Sequence, residues 1–328
     1  MPSSLKIPFS EPNLGETERR YLDQAITSGW IGGKGDFIDR FEEKFAKYIG
    51  VKHAITCSSG TMALMLTYHA CGMSADKYVY VPDNTFIATT NMARFFSKEI
   101  VSEPVDKDTW TMKIDDFSNC IVVGVHLYGN PVDMGSVYKN KFIFIEDCAQ
   151  SLGSKFKGKM TGSFGVASIF SFHSAKMITT GEGGMVCTNE DEIARRVRFL
   201  KNQSMKVPYI HEGLGYNGRM TNLQAALGLA QLERIDEFVR HKRHVTDFYN
   251  KNLSKNFIRQ KDQRNSHVVK WANAYRHPSA SSIRGCLNQV GIETRPGFLG
   301  EDVICLPCST KLTDNDLSYI VESANSYA

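Results

Sequence analysis

Short runs of apolar residues recur through the first half of the chain, with loops or helical segments between them. They occupy residues 54–57, 78–81, 121–125, 142–145 and 169–172. Runs of this length without polar alternation are typical of strands that are buried on both faces. Strands that alternate with helices pair in parallel, with helices covering both faces of the sheet. The sequence therefore predicts an α/β fold with a mostly parallel central sheet.

The character of the sequence changes near residue 240. A charged stretch at 233–243 is followed by turn-forming and polar residues to about residue 266. The later segments are predicted as a strand at 268–275, a helix at 281–290, a strand-like stretch at 292–295 and a closing helix at 314–323. We therefore predict a large α/β domain with an N-terminal arm at 1–240, and a small α+β domain at 241–328.

The charge balance argues against two classes of partner. The 328 residues contain 39 Lys and Arg against 35 Asp and Glu, and the excess is not gathered into a basic block. We therefore expect no nucleic acid and no anionic membrane surface as partner. No apolar run approaches the roughly 18 residues that a membrane span needs, and Met1 to Lys6 lack a signal-peptide pattern. The expected location is the cytoplasm.

The eight cysteines carry no pairing pattern. In a long chain without a secretion signal they are expected to be free thiols. Cys305 and Cys308 form a single C-x-x-C motif without the second pair that a structural zinc site needs. We interpret this motif as packing around a turn, and we expect no metal site.

Two acidic residues, Glu146 and Asp147, stand at the end of the apolar run at 142–145. The carboxyl ends of parallel strands form the edge at which open α/β sheets bind ligands. A carboxylate at this edge is therefore a candidate functional group. The ordinary alternative is that one acid caps the following helix and the other faces water.

Lys176 is the central candidate for chemistry. It lies between a strand end that carries Ser171 and His173 and a glycine-rich turn at 179–185. An isolated lysine is normally a solvated surface residue. Pyridoxal phosphate (PLP), however, requires a lysine for its imine, an acid for its pyridine nitrogen, and hydroxyl and backbone N–H groups for its phosphate. The sequence offers each of these groups.

The turn from Ser59 to Met62 is the candidate phosphate site. It follows the predicted strand at 54–57 and opens a helix. Free N–H groups and the positive end of the helix dipole would meet a phosphate there. Without the other groups, such a turn would be interpreted as an ordinary helix cap.

Over nearly its whole length the chain resembles the DegT/DnrJ/EryC1/StrS family of PLP-dependent sugar aminotransferases. The resemblance rests on residues 7–10, 28–31, 59–61, 84–89, 125–129, 146–150, 171–184 and 215–221. It implies the PLP-dependent transferase fold of type I, which is the aspartate aminotransferase architecture. It also implies PLP as the cofactor, which becomes pyridoxamine phosphate during the reaction.

The resemblance assigns the central roles to three residues. Lys176 would form the imine with the cofactor and carry the proton during transfer. Asp147 would hold the pyridine nitrogen in its cationic form, which makes the ring an electron sink. Gln150 would donate a hydrogen bond to the phenolic oxygen of the cofactor.

The remaining cofactor contacts are also implied by the resemblance. Thr61 and Met62, together with Ser171, would bind the phosphate, and Phe86 would stack on the ring. Asn217 would reach the phosphate of the neighbouring subunit. The resemblance therefore implies a homodimer with shared active sites.

Three further residues are candidates within the same site. His173 stands where members of the family keep a histidine near the substrate, so it is a candidate catalytic residue, with a structural role as the alternative. Trp30 and Arg219 lie in segments that line the site, and we take them as candidate substrate-binding residues. The family also contains dehydratases in which a histidine replaces the lysine, and Lys176 argues against that activity here.

The implied reaction transfers the amino group of L-glutamate to a nucleotide-linked 4-keto-6-deoxyhexose and releases 2-oxoglutarate. Segments 176–185 and 219–236 are most similar to the C4 aminotransferases of GDP-linked sugars, which favours GDP-4-keto-6-deoxy-D-mannose. The alternatives are a UDP- or dTDP-linked 4-keto-6-deoxyglucose, which would give a viosamine nucleotide, or amination at C3. A more distant alternative is a non-catalytic regulatory or binding module on the same fold.

The sequence departs from the family pattern in three places. After residue 296 the chain reaches Leu306 and Pro307 without the longer, histidine-containing loop of the family. Gly218 replaces the preferred tyrosine, and Asn130 replaces a common glutamine. These departures bear on which sugar nucleotide is bound more than on the chemistry.

Overall fold

The computed structural model describes residues 7–114, 117–135, 137, 141–298 and 300–328. Residues 1–6, which begin the predicted N-terminal arm, lie outside this range. The helices are α1 (Glu16–Thr27), α2 (Asp36–Ile49), α3 (Gly60–Ala70), α4 (Ile87–Arg94), α5 (Asp191–Leu200), α6 (Asn222–Glu233), α7 (Ile235–Asn252), α8 (Ala280–Gln289) and α9 (Asp314–Ser326).

The strands follow the predicted pattern of short segments. They are β1 (His53–Cys57), β2 (Val79–Pro82), β3 (Ile100–Glu103), β4 (Ser118–Val125), β5 (Lys141–Asp147), β6 (Lys155–Phe156), β7 (Lys159–Met160), β8 (Ala167–Ser171), β9 (Gly184–Thr188), β10 (Met205–Val207), β11 (Ile210–His211), β12 (Ile258–Arg259), β13 (Ser266–His267), β14 (Asn273–Arg276), β15 (Arg295–Gly297) and β16 (Gly300–Leu306).

A seven-stranded sheet forms the centre of the described structure, in the order β1-β9-β8-β5-β4-β2-β3. The pairings from β8 through β5, β4 and β2 to β3 are all parallel. Only β9 runs against its two neighbours, β8 and β1. The prediction of an α/β fold with a mostly parallel sheet is confirmed.

Helix α2 shows how the sequence fixes the packing on one face of this sheet. Phe37, Phe41 and Phe45 follow the helical period and are fully or nearly fully buried. They join a core that includes Phe170 and Phe172 from β8 and the residue after it. Gly50 then ends the helix in a left-handed conformation with φ of 83°, which glycine adopts without steric cost.

The C-terminal part contains a second sheet, β12-β14-β16-β15, with antiparallel pairings. The predicted strand at 268–275 is wrong in its first half, because Val269 and Trp271 donate their N–H groups to Ser154 Oγ and Tyr128 O instead of to a strand. The strand-like stretch at 292–295 is also shifted, since β15 begins at Arg295.

Helix α7 spans the point at which we predicted a division of the chain. The boundary between residues 240 and 241 falls in the middle of this helix. Lys242, which is buried, donates from there to the carbonyls of Trp271 and Cys308. The division into domains at 1–240 and 241–328 stays a prediction.

The cysteines are free, as the sequence predicted. Cys305 and Cys308 are both buried and pack in a cluster with Phe9, Trp110 and Leu127. Among the helices in the described ranges, none combines the length and the hydrophobicity that crossing a membrane requires.

Candidate active site

A cavity of about 450 Å³ opens at the carboxyl edge of the central sheet. The turn between β1 and α3 forms one wall, the residues after β5 and β8 form the floor, and the start of α4 faces them. Its volume lies in the range of small-molecule sites. The predicted residues that line it are Thr61, Phe86, Asp147, Gln150, Ser171, His173 and Lys176.

Four predicted site residues do not line this cavity. Met62 is turned away within α3, and Trp30 is 60% exposed on the surface. Asn217 is exposed and Arg219 is partly buried, and they contact each other through Arg219 Nη2 and Asn217 Oδ1 at 2.9 Å. Trp30, Asn217 and Arg219 thus lie outside the cavity that Lys176 of the same chain lines.

Asp147 is held at the end of β5 by two neutral donors. Thr89 Oγ1 donates to Asp147 Oδ2 at 2.8 Å, and the N–H of Ala149 donates to Oδ1 at 3.1 Å. Burial raises the pKa of Asp147, although these hydrogen bonds and the charge of Lys176 oppose the shift. The side chain is thus a buried acid whose charged form would be stabilised by a cation bound in the cavity.

Glu146, the other acid of the pair, neither faces water nor caps a helix. It is fully buried, and Oε1 accepts from the N–H groups of Phe164 and Gly165 at 2.7 and 2.8 Å. Oε2 accepts from the N–H of Gly162 and from His126 Nε2. The ordinary alternative considered for this pair is therefore wrong. These hydrogen bonds connect the loop before β8 with the end of β5, and they fix the position of the backbone beside Asp147.

His126 completes this network, and the sequence analysis gave it no role. Its Nδ1 accepts from the N–H of Val132 at 3.1 Å, so Nε2 carries the proton that is donated to Glu146. The backbone N–H of His126 donates to the backbone carbonyl of Asp147. His126, Glu146 and Cys148 lie close enough to suggest a metal site. The donors already bound to Glu146 and His126 instead identify a hydrogen-bond network.

Lys176 extends into the cavity across an indole ring. Its Nζ lies 4.1 Å from the ring centroid of Trp271, which is in turn fixed by a hydrogen bond from Nε1 to the carbonyl of Ala175. Burial lowers the pKa of Lys176 to about 8, against the opposing attraction of Asp147. A larger fraction of this amine is therefore uncharged at neutral pH than for an ordinary lysine.

This lowered pKa predicts how the amine reacts in the cofactor-free protein. The rate at which Lys176 reacts with an amine-directed acylating reagent is expected to rise with pH through a midpoint near 8, because only the uncharged amine is nucleophilic. Mass spectrometry of the labelled peptide at a series of pH values measures this rate. A midpoint near the ordinary lysine value of about 10.4 would contradict the prediction.

The turn before α3 forms a cradle of donors. Ser59 Oγ accepts from the N–H of Met62 at 3.0 Å, so the N–H groups of Gly60 and Thr61 are the first-turn donors left for a ligand in this part of the described chain. The hydroxyl of Ser171 faces the same space. A Cβ on Gly60 would lie 2.8 Å from Ser171 Cβ, so the glycine permits this close approach.

The side chain of Gln150 is oriented by a hydrogen bond to its amide oxygen. Oε1 accepts from the N–H of Tyr128 at 2.8 Å, which turns the amide NH2 group toward the cavity as a donor. Tyr128 itself is buried and has a positive φ of 56°. An aromatic residue rarely adopts this conformation. Here it directs the N–H of Tyr128 toward Gln150 Oε1.

Aromatic rings form the entrance of the cavity. Phe86 is 54% exposed and contacts Phe298 edge to face, with ring centroids 6.2 Å apart. Phe298 stacks on Tyr128, and its N–H donates to the Tyr128 hydroxyl at 2.8 Å. Phe298 lies on the β15–β16 hairpin, which occupies the place of the longer loop expected from the family. Leu299 lies outside the described residues.

His173 and Glu182 form a polar pair on the cavity wall. His173 Nδ1 accepts from the N–H of Ala175, so Nε2 carries a proton and faces Glu182 Oε1 at 3.7 Å. Both side chains are substantially exposed. Both residues line the cavity, where a general acid or base would have to lie.

Taken together, the cavity has a nucleophilic amine, a buried acid, a cradle for an anion and an aromatic entrance. These groups suit the covalent binding of a phosphorylated aldehyde through Lys176. The sequence analysis found Lys176 and Asp147 of this set from their residue types and setting, and it took Gln150 and Phe86 from the family resemblance. It missed Thr89, Trp271 and the network of Glu146 with His126.

The model of the DegT/DnrJ/EryC1/StrS aminotransferase family matches residues 12–301. The GDP-perosamine synthase of Escherichia coli O157:H7 is 37% identical over an alignment that covers 98% of both chains. The GDP-perosamine synthase of Vibrio cholerae is 40% identical over 76% of this chain and 71% of its own.

The fold is also found among solved structures. A Streptococcus pneumoniae protein described as a sugar aminotransferase, in its PLP form, superposes with a TM-score of 0.90. The match covers 98% of both chains at 22% sequence identity. At this level of identity the similarity establishes the fold alone.

Proposed function

The chain belongs to the DegT/DnrJ/EryC1/StrS aminotransferase family, and from this premise we propose that it is a PLP-dependent sugar-nucleotide aminotransferase. The resemblance drawn from the sequence is thereby confirmed. The observation that carries the proposal is the meeting of Lys176, Asp147, Gln150, Ser171 and Thr61 in one cavity. The amino donor is L-glutamate, and the acceptor is a nucleotide-linked 4-keto-6-deoxyhexose.

The residues of the cavity fit the proposed cofactor. When bound, PLP supplies a cationic ring that takes up the electrons of the substrate C–H bond. Asp147 is the group that would hold this ring cationic. A positive charge beside its carboxylate lowers the pKa of Asp147 and so opposes the rise that burial causes. Gln150 would donate to the phenolic oxygen, and Phe86 would cover the ring.

Lys176 would bind the cofactor and move the proton. Its lowered pKa allows Nζ to act as a nucleophile at neutral pH and then to accept a proton from the substrate carbon. The face of Trp271 can stabilise the ammonium once it is protonated. The same nitrogen can therefore serve in both half-reactions.

The phosphate would be held by the α3 cradle. The N–H and hydroxyl groups of Thr61 and the hydroxyl of Ser171 are the donors that face it. Met62 is expected to contribute only if its N–H leaves Ser59 Oγ, to which it donates in this structure. His173 is proposed to position or protonate the substrate together with Glu182.

We propose that the active unit is a homodimer. Asn217 lies outside the cavity of its own chain, so its proposed contact with the phosphate requires a second copy, and the same holds for Trp30 and Arg219 near the substrate. The β10–β11 hairpin beside Asn217 exposes apolar side chains, among them Tyr209 at 93%. Such a patch is typical of a protein interface.

We also propose that the protein acts in the cytoplasm, because its free cysteines favour a reducing compartment.

GDP-4-keto-6-deoxy-D-mannose is proposed as the acceptor, with GDP-perosamine as the product. The names of the E. coli and V. cholerae relatives support this choice over UDP- or dTDP-linked 4-keto-6-deoxyglucose and over C3 amination. The β15–β16 hairpin, with Phe298 at the entrance, is where this chain departs from the family, and it is where the choice of nucleotide sugar could change.

The test combines the two half-reactions. The PLP-loaded protein is mixed with L-glutamate, and one 2-oxoglutarate per active site is expected. Initial rates are then compared for the GDP-, UDP- and dTDP-linked ketosugars, and kcat/KM for the GDP sugar is expected to be at least about tenfold higher, which corresponds to roughly 1.4 kcal/mol in the transition state. Release of 2-oxoglutarate without any rate on the GDP sugar would overturn the choice of acceptor. No release at all would favour a binding module.

A further inference from the structure

A small polar pocket of about 150 Å³ lies in the C-terminal part of the chain, between α7 and the segment that follows β12. β12 pairs with β14 at Ile258 and Arg259. Beyond this point the chain turns away from β14, and the N–H of Lys261 donates to the carbonyl of Asp108 instead. The separation of the two segments opens the pocket, which shares no lining residue with the cavity that contains Lys176.

One wall of the pocket carries a buried hydrogen-bond donor without a partner. Asn273 in β14 is 2% exposed, and its Oδ1 accepts from Thr246 Oγ1 at 2.9 Å. The other end of the amide, Nδ2, has no hydrogen-bond partner in the described parts of the chain. Leaving a buried donor unpaired is costly, so a ligand with an acceptor oxygen is expected beside it.

Lys270 supplies a buried positive charge to the same pocket. The residue is 8% exposed, and its Nζ donates to Gln260 Oε1 at 2.7 Å and lies 3.1 Å from Asp262 Oδ1. Gln260 is fixed in this direction because its Nε2 donates to the carbonyls of Thr109 and Leu127. An ammonium group has three donors, so one N–H of Lys270 remains for a ligand.

Among the described residues, three cations and one acid, Asp262, line the pocket. Lys261 is paired with Asp108 outside the pocket at 3.0 Å, and Asp262 is paired with Lys270. Arg259 has neither an ion pair nor a side-chain hydrogen bond in the part of the chain that the structure describes. One positive charge is therefore left, which a bound anion would balance.

Arg259 and Lys270 are close enough to influence each other. Burial lowers the pKa of Lys270, the charge of Asp262 opposes this shift, and the charge of Arg259 adds to it. Like charges in a partly dry site repel each other more strongly than charges on an open surface. An anion bound between Arg259 and Lys270 would be attracted by both and would stabilise their charged forms.

The size and the donors of the pocket restrict the ligand. Its volume exceeds the space that one water molecule needs, and it is well below the roughly 300 Å³ at which sites for drug-sized molecules begin. The available donors belong to Arg259, Lys270 and Asn273, and they suit the oxygens of a small anion. Asp262 still offers Oδ2 as an acceptor, because its contact with Lys270 uses Oδ1. A matching ligand has several anionic oxygens and one proton to donate.

We propose that this pocket binds inorganic phosphate. Arg259, Lys270 and Asn273 would donate to the phosphate oxygens, and the phosphate would donate its own proton to Asp262. Phosphate keeps at least one proton at neutral pH, whereas sulfate keeps none, so the acceptor favours phosphate over sulfate. The proposal does not depend on transamination, because no residue of the pocket lines the cavity that contains Lys176.

Binding is tested by isothermal titration calorimetry with inorganic phosphate, on the full chain loaded with PLP so that the phosphate site of the cofactor is filled. The wild type is expected to bind phosphate at one site per chain. Arg259→Gln is expected to weaken binding about tenfold or more, because a charge-assisted hydrogen bond is lost. Arg259 is exposed, so this variant should keep the melting temperature of the wild type. No binding to the wild type would overturn the proposal.

Arg264→Gln is the matched control. It removes the same charge from an exposed arginine in the loop after β12, and this arginine does not line the pocket. The control is expected to bind phosphate within about twofold of the wild type, because an exposed charge outside the site is screened. An equal loss in both arginine variants, or no loss in Arg259→Gln, would overturn the proposal. Since neither arginine lines the cavity that contains Lys176, the comparison also holds if the protein does not bind PLP.

Two further variants test the contacts inside the pocket. Asn273→Asp keeps the oxygen that accepts from Thr246 and replaces the unpaired donor with an anionic oxygen, so phosphate binding should be lost. The wild type is expected to bind sulfate about fivefold or more weakly than phosphate, and Asp262→Asn should abolish this preference, because the acceptor for the phosphate proton is removed. Undiminished phosphate binding in Asn273→Asp, or equal affinities of the wild type for phosphate and sulfate, would overturn the assignment.

Discussion

Lys176→Ala is expected to reduce transamination by about 10⁴-fold or more while leaving the fold intact. The change removes the nucleophile that binds the cofactor and also the acid-base group that moves the proton, and a positioned acid-base group alone contributes up to about 10⁴-fold. The lost contacts are modest, because they are the contact of Nζ with the ring of Trp271 and its attraction to Asp147. Initial rates of 2-oxoglutarate formation measure the loss.

Three readouts separate this loss of chemistry from a loss of structure. The visible absorbance of the lysine-linked cofactor should be missing, the melting temperature of the cofactor-free protein should be close to that of the wild type, and an added small amine should restore part of the rate. Lys44→Ala, which removes an exposed lysine paired with Glu233, is the matched control and should retain full activity. Wild-type turnover in the Lys176 variant would refute the proposed role.

The strands of the central sheet that could be predicted are those whose own residues are nearly all apolar. β1, β2, β4, β5 and β8 contain continuous apolar runs because both of their faces are covered. The edge strand β3 (Ile100–Glu103) was not predicted, since it is only partly buried and ends in polar residues. β9 (Gly184–Thr188) was also missed, because it begins inside the glycine-rich turn.

The same limit applies to the site. Lys176 and Asp147 could be predicted because their chemistry resides in their side chains, whereas Gln150 was implied by the family resemblance. Besides His126 Nε2, the donors that surround Glu146 are backbone N–H groups of residues 16 to 19 positions further along the chain. Every residue except proline has a backbone N–H, so residue types do not reveal which of these groups donate to Glu146. The network could be recognised only from the position of the loop beside β5.

The positive φ of Tyr128 is a further feature that the sequence could not indicate. Glycine or asparagine would be expected in this conformation. Tyr128 is held in it by contacts from distant segments, because its carbonyl accepts from the N–H of Trp271 and its hydroxyl accepts from the N–H of Phe298. The conformation therefore belongs to the tertiary structure, and it fixes the direction in which Gln150 presents its NH2 group.

Asp147→Asn is expected to lower turnover by about 10²- to 10³-fold without destabilising the cofactor-free protein. Asparagine keeps the shape and an oxygen that can accept from Ala149 or Thr89, but it cannot hold the pyridine nitrogen of the cofactor cationic. The loss corresponds to about 2.7 to 4 kcal/mol in the transition state. Rates with saturating PLP and L-glutamate measure it, with Asp191→Asn on the surface as the control.

The direction of the stability change distinguishes this role from a structural one. Burial raises the pKa of Asp147 in the cofactor-free protein, so the buried carboxylate is costly there and its neutral replacement should leave the melting temperature unchanged or higher. With PLP bound the order should reverse, because only the wild type gains from the attraction between the carboxylate and the cationic ring. A variant that is less stable without cofactor and equally active with it would show that Asp147 supports the fold and not the chemistry.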